Sequence, residues 1–195
     1  MNVEPVILTG QHVRLEPMTE DHIPGLAEAG RDPAIWHFML YGDLTVAENM
    51  AAWVREILSR KAASTDQPFV VIHKESGKIA GATRYMEIRP AHRGLEIGGT
   101  WYNPAYQRTP VNTESKYLLL RHAFEALGCI RVQFKADSRN ERSLKAIERL
   151  GATREGLLRN HMILEGGLIR HSVYFSILDS EWPSVKARLE GLLSK

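Results

Sequence analysis

At 195 residues the chain is long enough to bury one substantial core, and with 44% hydrophobic and 25% charged residues it has the make-up of a globular protein. Its formal net charge of only +2 argues against a general nucleic-acid or membrane-surface role, which calls for a strong basic excess. A lone cysteine, Cys129, excludes an internal disulfide and a cysteine-based zinc cluster, and the eight histidines show no metal-ligand spacing. Cys129 opens an apolar strand in "ALGCIRV" and reads as a buried structural thiol. No apolar run approaches the roughly 20 residues of a membrane span, and the N-terminus "MNVEPVILTG" lacks a signal pattern. A cytoplasmic location is the default expectation.

Taken in chain order, "QHVRLEPM" (11–18) alternates Val13 and Leu15 with polar neighbours and predicts a first strand. A short helix starts at Thr19. A longer amphipathic helix fits 45–62, with Met50, Trp53, Val54, Ile57 and Leu58 on one side. Three strands follow at 68–74, 79–88 and 95–102. A helix at 113–127 presents Tyr117, Leu120, Phe124 and Leu127 at helical spacing. The strand 130–137 alternates Ile130, Val132 and Phe134 with polar residues, and the helix 140–151 stops at Gly151. Residues 152–163 and 169–178 predict a hairpin through "LEGG", and "SEWPSVKARLEGLL" a closing helix.

This order predicts an α/β fold: a mixed, mostly antiparallel sheet with helices on both faces. With no internal repeat or long linker, residues 1–195 read as a single domain. The strand–helix–strand unit at 95–137 demands a central parallel pair, and ligands in such sheets gather at the strand C-terminal ends. The loop and helix start "YNPAYQRTPVNTE" lie there, at the kind of strand-to-helix turn that often holds anions.

"DSRNERSLKAIERLGATREGLLR" (137–159) carries the spacing Asn140, Ser143, Leu150, Gly151, Glu155, Gly156 and Arg159. This resembles the N-x-x-S…L-G-A/F…E-G-x-x-R pattern of GNAT-superfamily N-acetyltransferases, in the branch that acetylates ribosomal-protein N-termini. "HVRLEPMTEDH" and "HAFEALGCIRVQFKAD" look like the same branch, so the resemblance covers roughly residues 11–178. It implies acetyl-CoA as donor, an amine as acceptor (a protein N-terminus or a small amine), and a parallel pair splayed to admit the pantetheine arm; the histidine spacing adds the expectation of no metal. The balanced charge and the lack of aromatic-basic interleaving predict no nucleic-acid or membrane partner. A homodimer through the late strands or helix is a further expectation.

The family's diphosphate loop, Gln/Arg-x-x-Gly-x-Gly/Ala, aligns with Gln107, Pro110 and Asn112, so Gln107 fits and both glycines are gone. Pro110 has no N–H to donate, whereas asparagine tolerates the left-handed region and is also a good helix cap. Two readings follow. Either Gln107, Arg108 and the N–H groups of Val111, Asn112, Thr113 and Glu114 still cradle a diphosphate, or the segment is a capped turn.

Transfer to an amine needs a base for an ammonium group, a donor for the oxyanion and a partner for the departing thiolate. Glu96 is the candidate base. Simple alternation in "LEIGGTWY" puts Leu95, Ile97 and Trp101 on one face and Glu96, Gly98, Thr100 and Tyr102 on the other, with Gly98-Gly99 as a bulge site. Many relatives have a tyrosine acid seven residues after the Asn140 position; here it is Ile147. The resemblance instead implies Ser143 near the CoA sulfur and Asn140 on the pantetheine amides, with helix capping the plainer role for Asn140. Arg159, His161, Arg170 and His171 either line the acceptor side or form a solvated strand face. Trp36, Phe38 and Tyr41 either cover the acceptor cleft or pack in the core. The missing glycines and tyrosine leave a second function open: a non-catalytic acyl-CoA-binding or interaction protein on the same scaffold.

Overall fold

A computed structural model describes residues 1–194. Eight strands form one sheet: β1 (Leu8–Thr9), β2 (Val13–Pro17), β3 (Gln67–His73), β4 (Ile79–Arg89), β5 (Gly94–Tyr102), β6 (Arg131–Asp137), β7 (Thr153–Ile163) and β8 (Ile169–Leu178). Their spatial order is β1-β2-β3-β4-β5-β6-β8-β7, and every pairing is antiparallel except β5 with β6. The helices are α1 (Ile23–Ala29), α2 (Ala47–Ala62), α3 (Pro110–Arg121), α4 (Glu141–Leu150) and α5 (Trp182–Leu193). Among the described residues, no helix is long and apolar enough to cross a membrane.

The sheet separates two cores. On one side α1 and α2 bury Leu26, Met50, Trp53, Val54 and Ile57 against Met18, Val70, Ala82 and Trp101. On the other side α3, α4 and α5 bury Val111, Leu118, Leu119, Ile147, Leu150, Val185 and Leu189 against Leu15, Phe69, Val71, Tyr85, Leu95, Ile97, Val132 and Phe175. This is how alternating strand residues can all be apolar through β3 while β2 alternates strictly: β3 is covered on both faces.

The parallel pair has only three rungs, Gly94 with Arg131, Leu95 with Val132, and Glu96 with Gln133. Beyond Glu96 both strands continue without pairing to each other, β5 to Tyr102 along β4 and β6 to Asp137 along β8. They diverge into an open-ended gap in the middle of the sheet.

Three sequence expectations change. Leu8–Thr9 is an additional strand, paired with Arg14 and Leu15. The helix expected at 113 begins at Pro110, and its last turn widens into a π-helix over His122–Ala126. Ile130 is exposed rather than buried with Val132 and Phe134, because it precedes the strand.

Candidate functional site

Beta-strand 5 sets the site. Its partner residues on β4 run Ala82 with Trp101 and then Arg84 with Gly98, so Gly99 and Thr100 together oppose Thr83. Gly99 takes φ +59, the left-handed region that glycine enters at no steric cost. A Cβ there would meet Arg84 Nε and Tyr41 Oη, each at 3.0 Å. The bulge expected at Gly98-Gly99 is therefore present, and it inverts the alternation beyond it. Trp101 packs with α1 and α2, while Tyr102 joins Leu95 and Ile97 against α3. Thr100 also turns to α3, where Lys116 Nζ donates to its hydroxyl at 2.5 Å. Simple alternation misplaced Thr100, Trp101 and Tyr102 for this reason alone.

Glu96 is buried at 2% exposure, on the last paired rung before the gap. Gln133 Nε2 donates to its Oε2 at 2.7 Å, and Lys135 Nζ lies 3.6 Å from Oε1. On β6, Arg131, Gln133, Lys135 and Asp137 alternate with the core residues Val132, Phe134 and Ala136, and β8 continues their row with Ser176, Tyr174, Ser172 and Arg170. This polar face is the part of the sheet that α1 and α2 leave uncovered. The loop after α1 borders it: Arg84 Nη2 donates to Tyr41 Oη at 3.2 Å, and Arg84 Nε lies 3.1 Å from Asp66. That pair is in ionic contact but poorly aligned for a hydrogen bond, which leaves Arg84 Nε and Nη1 and Asp66 Oδ2 without one.

Trp36 is buried, donating to the Gly30 carbonyl at 2.9 Å and packing 4.9 Å from Trp101, so its role is core packing. Phe38 and Tyr41 are half-buried. Burial raises the Tyr41 phenol above its ordinary range despite the neighbouring Arg84. In the hairpin, Arg159 is exposed, His161 Nδ1 lies 2.9 Å from Ser172 Oγ, and His171 Nδ1 accepts from the Asn160 N–H at 2.8 Å. Arg170, by contrast, is buried, so a solvated strand face does not describe it.

In the loop before α3, a threonine cap and a proline stand where the glycines are missing. Thr109 is the N-cap, its hydroxyl accepting from the Val111 N–H at 3.3 Å. Pro110 is the first helical residue, where its absent N–H would have had no partner anyway. Arg108 takes the left-handed conformation at φ +62. Asn112 is thus neither the cap nor the left-handed residue; it is the third residue of the helix. Of the N–H groups that α-helical geometry leaves without an intrahelical partner, Val111's is taken by the Thr109 cap and those of Thr109 and Asn112 stay open, while those of Thr113 and Glu114 enter the ladder.

The side chains of these last two are committed elsewhere. Thr113 Oγ1 accepts from Arg149 at 2.6 Å. The buried Glu114 carboxylate accepts from the N–H groups of Gln11, His12 and Val13, each at 2.7 Å, and faces away from any ligand at the helix start. Gln107 donates to the Tyr102 carbonyl at 3.0 Å and accepts from Arg142 at 2.6 Å, tying the loop to the start of α4. Asn140 caps α4, its Oδ1 accepting from the Ser143 N–H at 3.0 Å, so its amide nitrogen is not used by the cap. Ser143 is half-buried in the first turn, and Ile147 is packed in the core.

These features, a gap between two parallel strands, an acidic residue on their last shared rung and a helix starting after each strand, coincide with a family match. Residues 12–153 match the model of the acetyltransferase (GNAT) domain. The chain belongs to the GNAT acetyltransferase family.

Among solved structures, this acetyltransferase is 31% identical to a GCN5-related N-acetyltransferase from Brucella melitensis, over 98% of this chain and 86% of that one, with a TM-score of 0.92. A T. thermophilus protein, provisionally named an acetyltransferase, is 39% identical over 99% of this chain and 100% of its own, with a TM-score of 0.89. A Bacillus subtilis (strain 168) protein with the provisional name ribosomal N-acetyltransferase YdaF is 31% identical over 111 residues, 56% of this chain. The match spans 59% of that relative's length.

Several side chains of the acetyltransferase site were missed in the sequence. Gln133 and Lys135 carry a signal, since they are the polar alternates of the strand that pairs with Glu96. Thr109 does too, as a Thr-Pro pair ahead of a helix. Lys116 carries none: it looks like a surface helix residue, yet it is buried. Desolvation lowers its pKa to about 7.

Proposed function

We propose that this chain is an N-acetyltransferase that moves an acetyl group from acetyl-CoA to a primary amine by direct attack in a ternary complex. The observation that carries this reading is the three-rung parallel pair opening just past Glu96. It leaves one face of the gap towards α3 and α4, and the other towards the polar cleft. The residues present suit the donor. The open N–H groups of Thr109 and Asn112, with Arg108 and Arg142 beside them, suit a diphosphate at the start of α3, and the Val111 N–H would join them on leaving the Thr109 hydroxyl. The amide nitrogen of Asn140 and the hydroxyl of Ser143 suit the pantetheine arm. Bound acetyl-CoA supplies the activated acetyl group.

On the cleft side, Glu96 takes a proton from the acceptor ammonium, directly or through water. Gln133 fixes its Oε2, and Lys135 lies beside Oε1, so the carboxylate is held in place on the rung where the strands part. The bulge at Gly98–Thr100 frees backbone N–H groups from the ladder next to the gap, which suits an oxyanion donor. With Ile147 in place of a tyrosine, Ser143 is the hydroxyl left to hydrogen-bond the thiolate. A small amine and a protein N-terminus both fit this chemistry, and the ribosomal name of one relative favours testing N-terminal peptides.

Two measurements test the reading. Glu96→Gln should lower kcat about 100-fold or more while calorimetry finds acetyl-CoA binding within about threefold of wild type. S-acetylpantetheine, which lacks the diphosphate, should bind at least about tenfold more weakly than acetyl-CoA. Unchanged turnover in the variant removes Glu96 as the base. Absence of transfer to any amine, with acetyl-CoA still bound, favours the non-catalytic alternative.

A further inference from the structure

The polar cleft holds more positive than negative charge, and one of its cations is buried without a counter-ion. Arg170 is 6% exposed. The other buried or half-buried charges of this face have opposite partners: Arg84 with Asp66 at 3.1 Å, Lys135 with Glu96 at 3.6 Å, and Arg139 with Asp137 at 2.7 Å. Among the described residues, Arg170 makes no such pair. Its side chain makes a single hydrogen bond, from Nε to Ser172 Oγ at 3.1 Å. A guanidinium has five N–H donors, so the four on its terminal nitrogens remain.

These terminal nitrogens are not among the sealed, unpartnered side-chain atoms of the described residues, so they open onto the cleft with no protein acceptor, placed to receive an anion. The group points into the site. Its hydrogen bond to Ser172 turns it back along β8 towards the rung shared with Asp137. The acidic and phenolic groups whose fields it feels are Asp137, Glu96, Tyr174 and Tyr41, from β5, β6, β8 and the loop after α1. Asp137 is already engaged by Arg139 through two side-chain hydrogen bonds, at 2.9 and 2.7 Å. Next to Arg170, His161 is held below its ordinary pKa by desolvation and by Lys135 and Arg170, which marks the local field as positive.

We infer that Arg170 is a specificity residue that binds a carboxylate on the acceptor, so that the preferred substrates are amines carrying a carboxylate some bonds away from the nitrogen. This rests on the transferase reading above. The fork geometry of arginine suits bidentate capture of a carboxylate, and an amine anchored in this way would have its nitrogen near Glu96. The surrounding positive field also favours the neutral, nucleophilic form of that amine.

The test compares acids with their own amides. Glycine, 4-aminobutanoate and 6-aminohexanoate, each beside its carboxamide, are assayed with saturating acetyl-CoA on the full chain. A peptide with Asp or Asn at its second position separates a protein terminus from a free amino acid as the source of the carboxylate. The expected result is a kcat/KM at least tenfold higher for the acid of a matched pair, carried by KM. Arg170→Gln should erase that preference by raising KM for acids at least tenfold while amides are unchanged, and Arg170→Lys should restore part of it. Equal use of acids and amides by the wild-type protein, which needs no variant to fold, overturns the inference, as does a preference that survives in Arg170→Gln. Calorimetric titration of the same acids and amides onto the CoA-bound protein separates the two readings. Selective binding of acids without transfer to any amine supports the inference and removes the transferase reading. Transfer to amides with no binding of acids does the reverse.

Discussion

Lys116 is the residue whose chemistry departs furthest from its appearance in the sequence. Its ammonium is buried under β5 and, among the described residues, has only the hydroxyls of Thr100 and Thr83 as partners, at 2.5 and 3.3 Å. Desolvation, with no carboxylate to offset it, lowers its pKa from 10.5 to about 7. A depressed lysine pKa means that between these values the unfolded chain binds a proton the native protein does not. Stability therefore rises with pH from about 7 to about 10.5, and the full penalty applies below that window. Lys116→Met should remove this slope and be at least as stable as wild type at pH 7, since Thr83 and Thr100 also bond each other at 2.8 Å. Urea unfolding across pH 6–10 in both proteins would show it; parallel profiles would refute the assignment. Glu155 has the opposite sign. The Arg131 side chain, aided by Ser176 and working against some desolvation, lowers its pKa from 4.5 to about 2. Its contribution is present above about pH 4.5 and fades as pH falls towards 2, modestly, because the pair is partly solvated.

At the scale of elements, Glu114 joins the β1–β2 turn to α3. Three backbone N–H groups converge on one buried carboxylate, and hydrogen bonds to charged groups are worth more than neutral ones. Glu114→Ala should cost about 3–5 kcal/mol, because it also leaves three donors unpaired, that of Val13 fully buried. The exposed Glu141→Ala should change stability by less than about 1 kcal/mol. Thr109→Ala, which removes the cap of α3, should cost about 1 kcal/mol. Chemical denaturation midpoints decide each case. In the β5 bulge, Gly98→Ala would bring a Cβ to 2.7 Å from Met86 Sδ and 3.0 Å from Glu96 Oε1. Turnover should therefore fall more than acetyl-CoA affinity does, since the methyl group presses on the carboxylate that accepts the proton.

At the scale of the molecule, the central sheet is clamped between two cores, while β7 lies at its edge with most of its residues exposed. Hydrogen exchange should find β3, β4 and β6 protected up to global unfolding, and β7 and residues 33–46 opening well below it. Phe175→Ala, at a fully buried position between β8 and the helices, should cost about 3–5 kcal/mol and lower the whole transition. Uniform protection of β7 would mean that its edge is covered by something outside this chain.

The strands, the amphipathic helices and Gly151 as a helix terminator were legible because each is a local pattern: period two, period 3.6, or a residue fitted to the left-handed region. The parallel pair was legible from the βαβ spacing, and the polar residues of 137–159 were placed by resemblance. What the sequence determined by itself was therefore the order of elements, the two-sided covering of the sheet and the family. The tertiary structure decided which way side chains face after a register shift, as when one bulge turned Thr100 and Tyr102 towards α3 and Trp101 away from it. It also decided which polar groups lose water, since Lys116, Glu114 and Arg170 owe their state to neighbours far along the chain. Burial and pairing are sums over such neighbours, and no local window of sequence contains them.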